Sequence, residues 1–302
     1  MATRRELLRF IAYTGVLAAA FAPARAQQRI NAVASFSILG DLVKNVGGDR
    51  VDVVSLVGPN GDVHVYSPTP GDAKTLAAAK VVVENGLGLE GWMTRLVKAS
   101  GTNAPIVVAS NGIQPRKMAD EHDADHLVTD PHGWQSVANA KIYVANIRDG
   151  LSKADPDGKT VYDANAKSYL LALDALAEEV KAAIAKIPVD RRKIITTHDA
   201  FGYFGDAYGM EFIAPEGVYT EAEPSAKDVA RIIEQIKKQK IPAVFLENIT
   251  NPRLMQQIAK ETGAKIGGTL YSDALSTPNG PAASYIAMMR NNIREFDKAL
   301  QG

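Results

Sequence analysis

The chain has 302 residues, 46% of them apolar, enough for two domains with ordinary cores. Thirty-four basic residues balance 34 acidic ones, so no cationic excess points to nucleic acid and no long charge run points to disorder. Cysteine is absent, which rules out disulfides and thiolate metal ligands.

The N-terminus reads as an export signal. Arg4-Arg5 open a short cationic region, Phe10 to Phe21 form a mild apolar stretch, and Ala24-Arg25-Ala26 supplies a small-x-small cleavage site. The stretch is shorter than the ~20 residues a membrane span needs. Residues 1–26 are therefore expected to be removed near Ala26, leaving a mature chain that starts at Gln27 in the periplasm. Thr3-Arg4-Arg5-Glu6-Leu7-Leu8-Arg9 resembles a twin-arginine signal as much as an ordinary secretory n-region. No cysteine follows the signal, so no lipid anchor is expected there.

Apolar β-branched runs then alternate with helical patterns. Strands are predicted at Ile30–Ala34, Val51–Val57, Lys80–Glu84 and Pro105–Ala109, with helices at Ser37–Val46 and Pro70–Ala79. Leu87 to Trp92 reads as the approach to a further helix. The long pattern Lys159–Lys186 repeats Tyr162, Ala166, Tyr169, Leu173, Leu176, Val180 and Ile184 at three- and four-residue spacing, and Pro188 stops it. The second half predicts strands at Ile194–Thr196, Glu211–Ala214, Ala243–Leu246 and Lys265–Leu270. It predicts helices at Ala200–Tyr208, Ser225–Lys240, Leu254–Thr262 and Tyr285–Leu300. Strands alternating with helices imply parallel sheets covered on both faces. The fold class is thus α/β: two similar lobes with parallel sheets flanked by helices, joined by one long rigid helix. The lobes are expected at 27–158 and 188–302, with the linking helix at 159–187. An echo supports the similarity: Pro68-Thr69-Pro70-Gly71-Asp72 parallels Pro224-Ser225-Ala226-Lys227-Asp228, and each leads through a helix to a strand ending in Glu84-Asn85 or Glu247-Asn248.

Four potential metal donors follow apolar runs. His64 comes after Val53–Val57, His132 sits in Asp130-Pro131-His132, His198 follows Lys193–Thr197, and Asp273 follows Ile266–Leu270. Ligands of open α/β sheets bind beyond the carboxyl ends of the strands. Three imidazoles and a carboxylate make a full tetrahedral donor set. Each residue also has an ordinary reading: a loop histidine at 64, capping-region residues at 130 and 132, a turn aspartate at 273. Asp199 reads as the cap of the helix starting at Ala200.

The four segments together are more specific. Asp62-Val63-His64-Val65-Tyr66-Ser67-Pro68-Thr69-Pro70, Asp130-Pro131-His132-Gly133-Trp134, Thr197-His198-Asp199-Ala200-Phe201-Gly202-Tyr203-Phe204 and Tyr271-Ser272-Asp273-Ala274-Leu275-Ser276 resemble, in order, the four signatures of the zinc/manganese solute-binding proteins of ABC importers. The resemblance implies one metal in the cleft between two α/β lobes, with His64, His132, His198 and Asp273 as its ligands. Manganese-type members typically carry Glu at the third position and zinc-type members His. His198 therefore points to Zn2+ over Mn2+, in keeping with the preference of imidazole for zinc.

Ala119-Asp120-Glu121-His122-Asp123-Ala124-Asp125-His126 resembles the mobile His/acid loop of zinc-type members. It reads either as a solvated acidic loop or as an auxiliary site at which His122 and His126 capture zinc and pass it to the cleft. Trp92 and Trp134 are expected to be packing residues. Glu247 lies at a strand end and reads either as a partner of a ligand histidine or as a turn carboxylate. The expected activity is high-affinity capture of Zn2+ in the periplasm and delivery to an ABC permease. A periplasmic metallochaperone is a further partner, and the protein is expected to be a monomer that binds no nucleic acid. The rival from another class is an exported zinc hydrolase with Asp199 or Glu247 as base, which would keep a coordination position open for water.

Overall fold

The computed structural model describes residues 29–119, 127–220 and 224–301. The expected signal segment and the histidines at 122 and 126 lie outside the described residues.

The first lobe is built on a parallel sheet. β1 (Ile30–Phe36) is followed by α1 (Ser37–Gly47) and β2 (Val51–Val57). α2 (Pro70–Ala77) leads to β3 (Val81–Glu84), and α3 (Met93–Ser100) to β4 (Ile106–Val108). The strand order is β2-β1-β3-β4 with every pairing parallel. Ala32, Val33, Ala34 and Val81 to Val83 are fully buried, as expected for central strands covered on both faces. An antiparallel hairpin of β5 (Lys117–Ala119) and β6 (Leu127–Thr129) follows, and then α4 (Val137–Ala154). The sequence reading places neither the hairpin nor α4.

α5 (Lys159–Ala185) runs for 27 residues, or ~40 Å at 1.5 Å per residue. Its buried positions are the seven that the spacing predicts, Tyr162 through Ile184. Its start is fixed by a part-buried cluster in which Arg50 binds Asp155 through two nitrogens and the Tyr162 hydroxyl donates to Asp155 at 2.6 Å.

The second lobe contains β7 (Lys193–Ile195), α6 (Gly202–Tyr208), β8 (Glu211–Ile213), α7 (Ala226–Gln239), β9 (Ala243–Glu247), α8 (Arg253–Thr262), β10 (Lys265–Leu270) and α9 (Tyr285–Leu300). Its sheet runs β8-β7-β9-β10, again parallel and again second-first-third-fourth. The Pro-Thr/Ser-x-x-Asp echo opens the helix after the second strand in both lobes. Thr69 caps α2 by accepting from Asp72 N, and Ser225 caps α7 by accepting from Asp228 N. Asp199, by contrast, caps nothing: α6 starts only at Gly202, preceded by Phe201, and Asp199 N donates to Gly217 O.

One apolar core runs from β1 and β3 through α4 and α5 to Phe201, Phe204, Phe245 and α9. A smaller cluster of Ile195, Ile232, Ile236, Val244, Met255 and Ile258 sits on one face of the second sheet. A shared core resists wide opening of the lobes, because close-packed interiors do not deform continuously. Among the described residues no helix is long and apolar enough to cross a membrane.

Candidate metal centre

The loops at the carboxyl ends of β2, β6, β7 and β10 meet between the lobes, and they carry His64, His132, His198 and Asp273 respectively. All four side chains are fully buried. One donor atom from each lies within 4.8 Å of the others. His64 Nε2 and His198 Nε2 each stand 3.0 Å from Asp273 Oδ2. His132 Nε2 stands 3.3 Å from His64 Nε2 and 3.6 Å from Asp273 Oδ1. A tetrahedron with ~2.0 Å metal–donor bonds has edges of ~3.3 Å, so these spacings suit a small divalent cation. Asp273 Oδ1 is buried with no hydrogen-bond partner among the described residues. A carboxylate oxygen left unpaired amid three imidazoles asks for a positive charge.

Each histidine hangs from a carboxylate by its own backbone N–H. His64 N donates to Asp62 Oδ1 at 2.9 Å, and His132 N to Asp130 Oδ1 at 2.9 Å. His198 N donates to Glu247 Oε1 at 3.0 Å, alongside Thr197 N at 2.7 Å. In two cases the same carboxylate also addresses the ring. Asp130 Oδ1 is 2.9 Å from His132 Nδ1, and Glu247 Oε2 is 2.7 Å from His198 Nδ1, short but off the line of a hydrogen bond. Such partners fix which ring nitrogen faces the metal. Among the described residues His64 Nδ1 has none, and the second oxygen of Asp62 instead accepts from the Thr220 hydroxyl of the other lobe at 2.6 Å.

The backbones of the donor loops are held as well. Asn85 donates to Pro131 O beside His132, and Asn248 donates to Ala274 O beside Asp273. These are the asparagines of the two Glu-Asn strand ends. Trp134 Nε1 and Gln135 Nε2 both donate to Ser272 O across the lobe boundary. Trp92 donates to Val63 O, so both tryptophans pack and also carry one directed hydrogen bond each.

Burial drives every one of these rings toward its neutral form. At His64 burial prevails and the ring sits below its ordinary value. At His132 burial is outweighed by Asp273 and Asp130, which lift the ring to about 9. At His198 it is outweighed by Glu247 and Asp273, which hold the ring well above the usual range. Burial would raise Asp273, yet His198 and His132 hold it well below the carboxylate range.

The chain resembles known proteins over most of its length. The family described as zinc-uptake complex component A, periplasmic, matches residues 32–299. The chain belongs to that family. Its members are metal-binding solute-binding proteins of ABC importers and not enzymes, which removes the hydrolase alternative. The chain is 35% identical over 268 residues to the manganese-binding lipoprotein MntA of Halalkalibacterium halodurans, covering 89% of this chain and 87% of that protein. The solved structure of the periplasmic zinc binding protein TroA from Treponema pallidum superposes with a TM-score of 0.84 at 29% identity, over 90% of this chain and 99% of that one. A manganese-bound periplasmic metal binding protein from Candidatus Liberibacter asiaticus superposes with a TM-score of 0.77 at 30% identity, over 88% of this chain and 98% of that one.

Sequence reasoning passes over several residues that serve this centre. Asp130, expected near a helix cap, instead holds His132. Asp62, Thr220, Asn85 and Arg116 carry no expectation. One signal is present: Asp-x-His occurs at both Asp62-x-His64 and Asp130-x-His132, a spacing suited to a carboxylate accepting from the histidine N–H two residues on.

Proposed function

We propose that the protein captures Zn2+ in the periplasm and delivers it to the permease of an ABC importer, with His64, His132, His198 and Asp273 as the ligands. The observation that carries this reading is the convergence of three imidazole nitrogens and one carboxylate, fully buried, all within 4.8 Å of one another and with their nearest contacts at 3.0–3.6 Å. Four protein donors close the coordination shell, which suits holding an ion rather than activating water on it. Three nitrogens and one oxygen favour zinc over harder cations. The donors all come from one chain, so a monomer suffices. Export by the N-terminal signal, with cleavage near Ala26, would place the site where the importer collects its cargo.

The test is calorimetry on metal-stripped protein. One Zn2+ per chain should bind tightly, and the triple variant His64→Ala/His132→Ala/His198→Ala should bind none. Stoichiometric tight binding by that variant would overturn the ligand assignment. A second reading keeps the site and changes the cargo to manganese; the manganese-binding relative MntA and the manganese-bound Liberibacter structure favour it. Competition between the two ions for the stripped protein separates these readings.

A further inference from the structure

We propose that Glu247, acting through His198, sets the balance between zinc and manganese at this site; the proposal rests on the metal-capture reading above. Glu247 lies at the end of β9 with its side chain fully buried. One oxygen is occupied by two backbone N–H groups, and the other faces His198 Nδ1 at 2.7 Å. Its counterpart at His132 is differently placed. Asp130 shares its charge with Arg116, whose Nη1 is 3.3 Å away. Among the described residues no lysine or arginine pairs with Glu247. Its negative charge is therefore directed through one imidazole onto the cation position.

The charge count makes this consequential. Asp273 and Glu247 are the two fully buried carboxylates at this position with no lysine or arginine partner among the described residues, and a divalent cation balances both. Asp130 is offset in part by Arg116, which it shares with Asp206. With Glu247 neutralised, the loaded site would retain a buried net positive charge, an expensive state in a low-dielectric interior. The two cations feel that loss differently. Zinc draws much of its affinity from imidazole nitrogen, whereas manganese depends on anionic and oxygen donors. In this chain the third donor is a histidine backed by a carboxylate, so Glu247 supplies anionic character that a histidine alone lacks. Glu247 is thus a specificity-setting positioning residue, one atom layer behind the donors.

The experiment measures Zn2+ and Mn2+ affinities for stripped wild-type protein, Glu247→Gln and Glu247→Asp, with the visible spectrum of bound Co2+ as a report on the donor set. Glu247→Gln should weaken zinc by about 10–100-fold, the usual cost of losing such a partner, and manganese by roughly tenfold more. Glu247→Asp keeps the charge with a shorter reach and should give an intermediate zinc-to-manganese ratio. A ratio unmoved by Glu247→Gln, whether both affinities fall equally or neither falls, overturns the proposal and leaves Glu247 a prop for the β7 loop. If Glu247→Gln does not fold, an unchanged ratio in Glu247→Asp overturns it on the same ground. The capture reading fails separately, if wild-type protein holds neither metal.

Discussion

The two lobes share a strand order, a helix-opening motif and a Glu-Asn strand end, yet they deliver their donors differently. In the first lobe His64 sits midway along the loop that follows β2, and His132 follows an inserted hairpin. In the second lobe His198 stands three residues beyond β7 and Asp273 three beyond β10. The strand-end pair is reused with changed chemistry. Asn85 and Asn248 each grip a donor loop, but only Glu247 turns onto a donor ring; Glu84 forms no such contact among the described residues. The lesson is that the doubled fold supplies a platform, while the carboxylate behind each ring decides which donors are held firmly: His132 and His198 have one at Nδ1, and His64 has none among the described residues.

Truncation of donors should break the symmetry most visibly. Asp273→Ala removes the only anionic donor and His198→Ala strands the buried Glu247 carboxylate. Each should lower metal affinity by about 1000-fold or more, ~4 kcal/mol. His64→Ala should cost less, about 10–100-fold, because His64 has no ring partner to strand and borders a cavity of about 510 Å3, lined also by Tyr66, Trp92 and Tyr219, from which water can take its place. Calorimetry on the three variants ranks them; equal losses at His64 and His198 would deny that these two donors are held unequally.

Proton release should sharpen the same contrast. Metal needs bare imidazole nitrogens. His132 keeps its proton to about 9 in the metal-free protein, while His64 is neutral below its ordinary range. Affinity should therefore rise with pH toward about 9, by up to about tenfold per unit for each proton displaced. For the metal-free protein the sign is opposite. The folded value of His132 lies above its unfolded 6.5, so its contribution to stability is complete below pH 6.5 and is lost as the pH climbs to about 9. Thermal midpoints of stripped and zinc-loaded protein across that window check both signs. A stripped protein whose midpoint is flat from 6.5 to 9 contradicts the raised imidazole.

How far the sequence announces all this depends on the kind of residue. β2 and β10 are legible to the residue although both are edge strands with polar and half-exposed positions, as is the buried face of α5 from Tyr162 to Ile184. α4 escapes because its inner face is diluted by small residues: Ala140 and Gly150 are buried there, and Gly150 packs so closely on Val107 that a methyl group would clash with it. The four donors are legible as a set through their order and their strand ends. Of their carboxylate holders, Glu247 has the reading of a histidine partner beside that of a turn carboxylate, while the aspartates do not, because an aspartate two residues before a histidine serves a turn, a cap or a ring equally well. Asp130 and Asp199 both read as caps; the first holds a ring and the second holds none. Thr220 is beyond reach, since nothing local connects it to Asp62, 158 positions away.

That bond offers the smallest and most discriminating test of unequally held donors. Thr220 of the second lobe grips the carboxylate carrying His64, while Asn60 on the same loop meets Leu275 O and Asn248. Thr220→Val keeps the shape and deletes the hydroxyl. Asp62 is only half-buried, so water can replace part of what is lost and the cost should be about 1 kcal/mol. That corresponds to a roughly fivefold faster release of metal, with the association rate nearly unchanged because no donor has moved. Stopped-flow chelator competition reads the release rate directly. The matching change on the rigid side, Thr196→Val, removes a hydroxyl that only bonds His198 O locally and crosses no lobe boundary. It should leave release within about twofold, since that hydrogen bond holds neither the ring nor the opposite lobe. If the two variants accelerate release equally, His64 is held as firmly as His198 and the inequality drawn from their ring partners does not extend to dynamics.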